Sequence, residues 1–273
     1  MLTETAITEA PQARPEQAEL RRNLRLRKIP ADFRKQYKDI LHNAGKVIAD
    51  YDLINEGDKI LVAVSGGKDS HALLHVLGDL MAKAPVRFSL IAYTLDQKQP
   101  NFDASALIEY YREIGVEYVL GERDTYSIVT EKIPEGSTFC SLCSRLRRGI
   151  LYSEAQRLGA TKIALGHHAN DALETLLMNL FYSGKLAAMP PKLTSDDGRS
   201  IVIRPLISVE EQALAGLAEA LQFPILPCNL CNNQEGLQRA RIKRLIEAEM
   251  AQNPVLMHSA RAALANVKRS HLW

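Results

Sequence analysis

"KILVAVSGGKDSHALL" (residues 59–74) changes character halfway along. Lys59–Val64 is apolar at nearly every position, the pattern of a strand covered on both faces, as in a parallel sheet. Beyond Ser70 the apolar residues Ala72, Leu73, Val76, Leu77 and Leu80 recur at helical spacing. Between the two lie Ser65, Gly66, Gly67, Lys68, Asp69 and Ser70, so a buried strand passes to a helix through a turn of glycines, hydroxyls and opposite charges. Glycine permits φ > 0 and leaves no side chain in a ligand's way. The N–H groups and positive dipole end of the new helix favour an anion. Ser65 and Ser70 add donors, Lys68 adds charge, and Asp69 can hold Mg²⁺ between phosphate oxygens. The bland alternative is a tight turn with a Ser/Asp cap; strand, hexapeptide and helix together favour a phosphate site. The G-x-x-x-x-G-K-[ST] spacing of NTPase P-loops is absent.

The same alternation continues outward. A helix is expected over 32–50, leading into the first strand, and the helix after the glycine loop over 70–83. Strands follow at 87–95, 116–120 and 162–166, and IVIRPL reads as another. Helices separate them at 104–114, about 142–158, about 170–182 and 208–221, with a Pro/Gly/Asp-rich loop at 189–199. This is the pattern of an α/β fold with a doubly wound, mostly parallel sheet, flanked by helical N- and C-terminal extensions. Ligands bind such sheets at the carboxyl ends of the strands, so SGGKDS, LDQKQP (95–100) and GHHAND (166–171) should line one crevice. The expected divisions are a disordered acidic, Pro/Ala-rich stretch over 1–20, a basic helical extension over 21–50, the nucleotide-binding domain over 51–234 and a basic helical tail over 235–273.

The 273 residues, 46% apolar and 24% charged, suit one large soluble domain with extensions. No apolar run is long enough to span a bilayer and the N-terminal stretch is polar, so a cytoplasmic location is expected. A net charge of +2 argues for no partner by itself. Its distribution does: from Arg21 to Lys38 eight basic residues face one acid, Asp32, which suits a nucleic-acid backbone as well as a solvated helix face.

Four cysteines form two C-x-x-C pairs, Cys140/Cys143 and Cys228/Cys231. In a chain without an export signal such pairs point to a metal or a redox dithiol rather than to structural disulfides. The pairs are too far apart for a compact zinc finger but can meet in space around Zn²⁺ or an iron–sulfur cluster, and their spacing does not choose between these. Arg145, Arg147 and Arg148 supply a cationic surround that would lower thiolate pKa values or face a phosphate.

SGGKDS resembles the PP-loop of the ATP pyrophosphatases, which split ATP into AMP and pyrophosphate. With LDQKQP, CSLCSRLRRGILY, GHH, MPPKL, SDDG, IVIRPL and PCNLC in that order, the chain closely resembles the tRNA 2-thiocytidine synthetases from about residue 20 to 245. The resemblance implies ATP-dependent replacement of the C2 oxygen of a tRNA cytidine, expected at position 32, by sulfur. The base would be adenylated first, and sulfur would come through a [4Fe-4S] cluster with three cysteine ligands and one open iron. Cys140 and Cys143 are two implied ligands. Cys231 is the third, because related thiolases place an arginine eight positions after their single distal cysteine, where Arg239 stands here. Cys228 is then a nearby thiol that could relay sulfur. The implied catalytic residues are Lys68, Asp69, Arg147 and Asp171. The implied nucleotide site comprises Ser65, Gly66, Gly67, Lys68, Asp69, Ser70, Asp96, Gly166 and His167, with ATP as co-substrate and Mg²⁺. The implied partners are tRNA and a cysteine desulfurase-type sulfur donor, with no membrane and with a homodimer as a candidate assembly.

The chain departs from the family pattern at one place. Where the family usually shows GHHRDD, this chain reads Gly166-His167-His168-Ala169-Asn170-Asp171, keeping only the second aspartate. That puts a second carboxylate for metal binding in question. His167 and His168 can be read as helix-start residues bonded locally or as ligand contacts. Two other functions stay open: a PP-loop amidating synthetase, which leaves the cysteine pairs unexplained, and a zinc-stabilised, non-catalytic RNA-binding module, against which the intact SGGKDS speaks.

Overall fold

A computed structural model of the chain describes residues 29–132, 140–226 and 238–271, together with Asn23. Among these, helix α1 (Arg34–Asp50) leads into strand β1 (Lys59–Ala63), then α2 (Lys68–Met81), β2 (Ser89–Asp96), α3 (Ser105–Ile114) and β3 (Glu117–Glu122). Helices α4 (Thr125–Lys132) and α5 (Cys140–Arg157) precede β4 (Lys162–Ala164) and α6 (Ala169–Tyr182). The short strands β5 (Lys192–Thr194) and β6 (Ile201–Ile203) are followed by α7 (Glu211–Leu221), α8 (Gln238–Gln252) and α9 (Leu256–Ala265).

The strands form one sheet in the order β3-β2-β1-β4-β6-β5, parallel except where β5 runs against β6. The apolar run of β1 explains its central place. Ile60 and Val62 enter one core with Leu73 and Leu77 of α2, Tyr111 of α3, Leu214 of α7 and Ile40 of α1. Leu61 enters a second core on the other face with Ile91, Tyr93, Ile163, Val202 and, from α5, Ala155. Alternating side chains of one strand thus serve two hydrophobic layers. A third cluster joins Leu173 of α6 to Ile242 and Ile246 of α8 and Met257 of α9.

The expected elements are present within a few residues, with two differences. The loop expected over 189–199 contains β5, and the β5–β6 hairpin turns at Asp197-Gly198, with Gly198 at φ 72°. A three-residue strand beside two prolines carries no period that could announce it. Helix α4 has no counterpart among the expected elements; Asp124 Oδ1 accepts the Ser127 N–H at 2.9 Å and so starts a weakly patterned helix. The stretch 1–20, Arg21, Arg22, Arg25, Arg27, Lys28 and both distal cysteines lie outside the described residues.

Candidate active site

The chain diverges on either side of β1, to β2 on one flank and β4 on the other, and the crevice opens at the carboxyl ends of these strands. SGGKDS fills its floor. Gly66 has φ 85°, and a Cβ there would lie 2.8 Å from Leu226, whose N–H donates to the Gly66 carbonyl at 3.0 Å. Gly67 caps α2. The Ser65 N–H donates to Ser70 Oγ (3.2 Å), and Ser70 Oγ donates to the Gly67 carbonyl (2.8 Å), so the two serines close the turn. Gly166 after β4 faces this loop: a Cβ there would meet the Asp69 carbonyl at 2.9 Å and the Ser70 nitrogen at 3.0 Å. Only glycine lets the two loops come this close.

Charges gather on the rim. The Lys68 ammonium lies 3.1 Å from Asp69 Oδ1 and 3.0 Å from Glu211 Oε1 at the start of α7. Lys243 of α8 binds the same Glu211 carboxylate at 2.9 and 3.1 Å. Burial opposes ionisation of Glu211, but the hydrogen bonds from Lys243 and Lys68 outweigh it and hold the carboxyl at about 2. Burial likewise works against the charge on Lys68, and Asp69 and Glu211 more than offset it, raising its pKa.

At the start of α6, Asp171 Oδ2 accepts the His168 N–H at 3.0 Å, while Oδ1 pairs with Arg239. Arg239 also donates to Glu174 at 2.7 Å. Burial raises the Glu174 pKa, with Arg239 opposing it. His168 Nε2 stands 3.4 Å from Asp171 and 3.9 Å from Asp69. Burial pushes His167 down to about 4, Asp171 opposing and Arg204 and Arg239 adding, so its imidazole is neutral at neutral pH. His168 bonds locally, forming a capping box with Asp171 at the start of α6, while the Nδ1 atoms of His167 and His168 are buried without a hydrogen-bond partner among the described residues. Asn170 accepts the Glu211 N–H at 2.9 Å, so the amide that replaces the family's aspartate fastens α7.

The remaining expected residues fall as follows. Asp96, at the end of β2, turns back on its own loop, accepting the Lys98 N–H at 2.6 Å. Cys143 is buried, and its Sγ lies 3.4 Å from Gln97 Oε1, at the carboxyl end of β2. Cys140 opens the same helix three positions earlier, and Arg147 sits half-buried one turn on. A buried soft sulfur at the crevice with a second cysteine on the same helix fits the thiolate chemistry of an iron–sulfur or zinc site. No cluster of three or more metal-ligating side chains occurs among the described residues.

A PP-loop domain model matches residues 31–250. The tRNA-cytidine(32) 2-sulfurtransferase of Actinobacillus pleuropneumoniae serotype 7 is 53% identical over 246 residues, 90% of this chain and 77% of that protein. The chain belongs to the PP-loop family of tRNA-cytidine 2-sulfurtransferases. The Aeromonas salmonicida member is 54% identical over 240 residues, 88% of this chain and 80% of its own length. The U34-tRNA thiolase NcsA from Methanococcus maripaludis, solved with its [4Fe-4S] cluster, shares the fold at a TM-score of 0.66 and 20% identity, covering 85% of this chain and 80% of that one.

Glu211 and Lys243 of this PP-loop crevice belong to none of the sequence motifs, and Arg204, inside IVIRPL, is not among the expected site residues. Arg204 follows β6, is buried, donates to the Pro190 carbonyl at 2.8 Å and keeps a buried Nε without a partner among the described residues. Glu211 and Lys243 look like ordinary helix-surface charges, and only the tertiary fold brings them to Lys68.

Proposed function

We propose that this chain is a cytoplasmic tRNA-cytidine 2-sulfurtransferase that replaces the C2 oxygen of cytidine 32 by sulfur, converting ATP to AMP and pyrophosphate. The observation that carries the reading is the position of Cys143, a buried thiol at the carboxyl end of β2, on the crevice whose floor is SGGKDS. A phosphate loop alone suits any PP-loop enzyme; a phosphate loop beside a cysteine pair suits sulfur chemistry on a nucleotide-activated substrate.

Ser65, Gly66, Gly67 and Ser70 would hold the β- and γ-phosphates, with Lys68 and the start of α2 facing the charge that develops as pyrophosphate leaves. Asp69 would hold Mg²⁺, and Asp96 and Gly166 would border the nucleotide. With the base splayed out of its loop, the cytosine oxygen attacks the α-phosphorus and the bond to the bridging oxygen of pyrophosphate breaks, leaving the base as an O-adenylate. His167, neutral, would border the nucleotide beside Gly166, and Asp171, held by Arg239, would act in the adenylation step. Arg147 would offset the negative charge of the phosphates. A [4Fe-4S] cluster held by Cys140, Cys143 and Cys231 would supply the sulfur nucleophile, refilled by a cysteine desulfurase-type donor, and AMP would leave with the former C2 oxygen.

The test is nucleoside mass spectrometry of tRNA incubated with anaerobically purified protein, ATP, Mg²⁺ and sulfide. The expected product is 2-thiocytidine, with AMP and pyrophosphate in step. Cys140→Ala, Cys143→Ala and Cys231→Ala should each lose iron, labile sulfide and product, whereas Cys228→Ala should keep its iron. Formation of ADP and phosphate, or a colourless zinc protein, would refute the reading.

A further inference from the structure

Lys68 is the one cation of the phosphate loop itself, and a lysine on four rotatable bonds does not hold a position unaided. Here its place is set from a distance of 143 residues along the chain. Glu211 Oε1 accepts from Lys68 Nζ at 3.0 Å, and Glu211 is itself held at two further points, one on its side chain and one on its backbone. Lys243 holds both carboxylate oxygens, and Asn170 accepts the Glu211 backbone N–H at 2.9 Å. The carboxylate is only about a quarter exposed, so its contacts are less screened than those of a surface pair.

We infer that Glu211 is a positioning residue for Lys68: braced by Lys243 and Asn170, it holds the ammonium at the phosphate loop before the nucleotide arrives. The inference rests on the reading of SGGKDS as the ATP site. An ammonium has three donors. Two are taken by Asp69 and Glu211, and the third remains for a phosphate oxygen. Ordering the side chain beforehand removes part of the entropy cost of binding. The two carboxylates also set the local charge: they offset Lys68 in the nucleotide-free loop, while Lys243 keeps Glu211 from repelling the incoming phosphates outright.

Asn170 gains a role from this. An aspartate there could accept the same N–H, but it would add a negative charge beside Glu211 and Asp171. The neutral amide fastens α7 without that repulsion.

The experiment is a double-mutant cycle on binding of MgATP to the full chain, measured by calorimetry. Glu211→Ala is expected to weaken MgATP binding about tenfold in the wild-type background, as loss of a hydrogen bond to a charged group predicts. In a Lys68→Met background the same substitution should change the dissociation constant less than about twofold, because the group it positions is gone. Glu211→Gln, which keeps an acceptor without the charge, should lie between. Equal effects in both backgrounds would make Glu211 a structural residue, and tighter MgATP binding by Glu211→Ala would make it a competitor for Lys68; either overturns the inference. If Glu211→Ala does not fold, Asn170→Ala carries the cycle, with a smaller effect of the same sign that must also vanish with Lys68→Met. A wild-type chain that fails to bind MgATP, or a Lys68→Met variant that binds it normally, would sink the ATP-site reading itself and the inference with it.

Discussion

His167 shows how one residue's environment sets what it can do. It follows Gly166, whose missing side chain lets the β4 loop lie against the phosphate loop, and burial of the imidazole is the largest influence on its protonation. Asp171 favours its protonation; burial and the neighbouring Arg204, Arg239 and His168 oppose it, and the balance falls from the ordinary 6.5 to about 4. The unfolded chain therefore binds a proton that the folded one refuses between these values. Stability conferred by the neutral ring is present above about pH 6.5 and is lost as the pH falls towards 4. Unfolding of wild type and His167→Gln by denaturant, compared across pH 4–7, should show a shallower pH dependence in the variant. Equal slopes would mean that His167 titrates near its ordinary value.

At the scale of elements, α8 is the least conventional part of the site. Its apolar residues Ile242 and Ile246 pack on Leu173 of α6, while Arg239 and Lys243 reach carboxylates of α6 and α7. Arg239 therefore acts as a tie between helices whatever its further part in chemistry. Removing it leaves Glu174, whose side chain is only 5% exposed, without its cation. We expect Arg239→Ala to cost about 1–3 kcal/mol, towards the lower end because Arg239 itself is half exposed. Adding Glu174→Gln should recover part of it; a double variant no more stable than the single one would show that the tie to Asp171, not Glu174, carries the stability. What the sequence made legible at this scale follows from period and composition. The apolar run of β1 and the helical spacing after Ser70 announce themselves because burial on both faces, and along one stripe, leaves a periodic trace. Strand β5 leaves none, since an edge strand of three residues beside prolines is specified by its hairpin and its neighbour. The site divides in the same way. Ser65 to Ser70 and Gly166 are readable because loop chemistry is local, whereas Glu211 and Lys243 acquire their meaning only when the sheet order brings α7 and α8 to the glycine loop.

Across the whole molecule, the charge available to an RNA backbone is smaller than the basic residues suggest. The net charge is +2, and the basic C-terminal region commits Arg239 and Lys243 to site carboxylates and Arg261 to the Ser208 carbonyl. Arg241 and Arg244 of α8 are exposed, as are Arg34, Lys35 and Lys38 of α1. A protein so nearly neutral cannot hold tRNA by its overall field, so binding must come from local clusters, and the densest is the run from Arg21 to Lys38. Replacing Arg21, Arg22, Arg25 and Arg27 together by Ala should weaken tRNA binding and reduce the slope of log K against log salt by about one for each phosphate no longer neutralised. MgATP binding should stay unchanged, because the nucleotide crevice draws its cations from Lys68, Lys243 and Arg239 instead. A tRNA affinity that falls with its salt slope intact would point to disturbed packing rather than to weaker pairing with phosphates. An unchanged affinity would assign the segment to a solvated face and leave α1 and α8 as the RNA-binding surface.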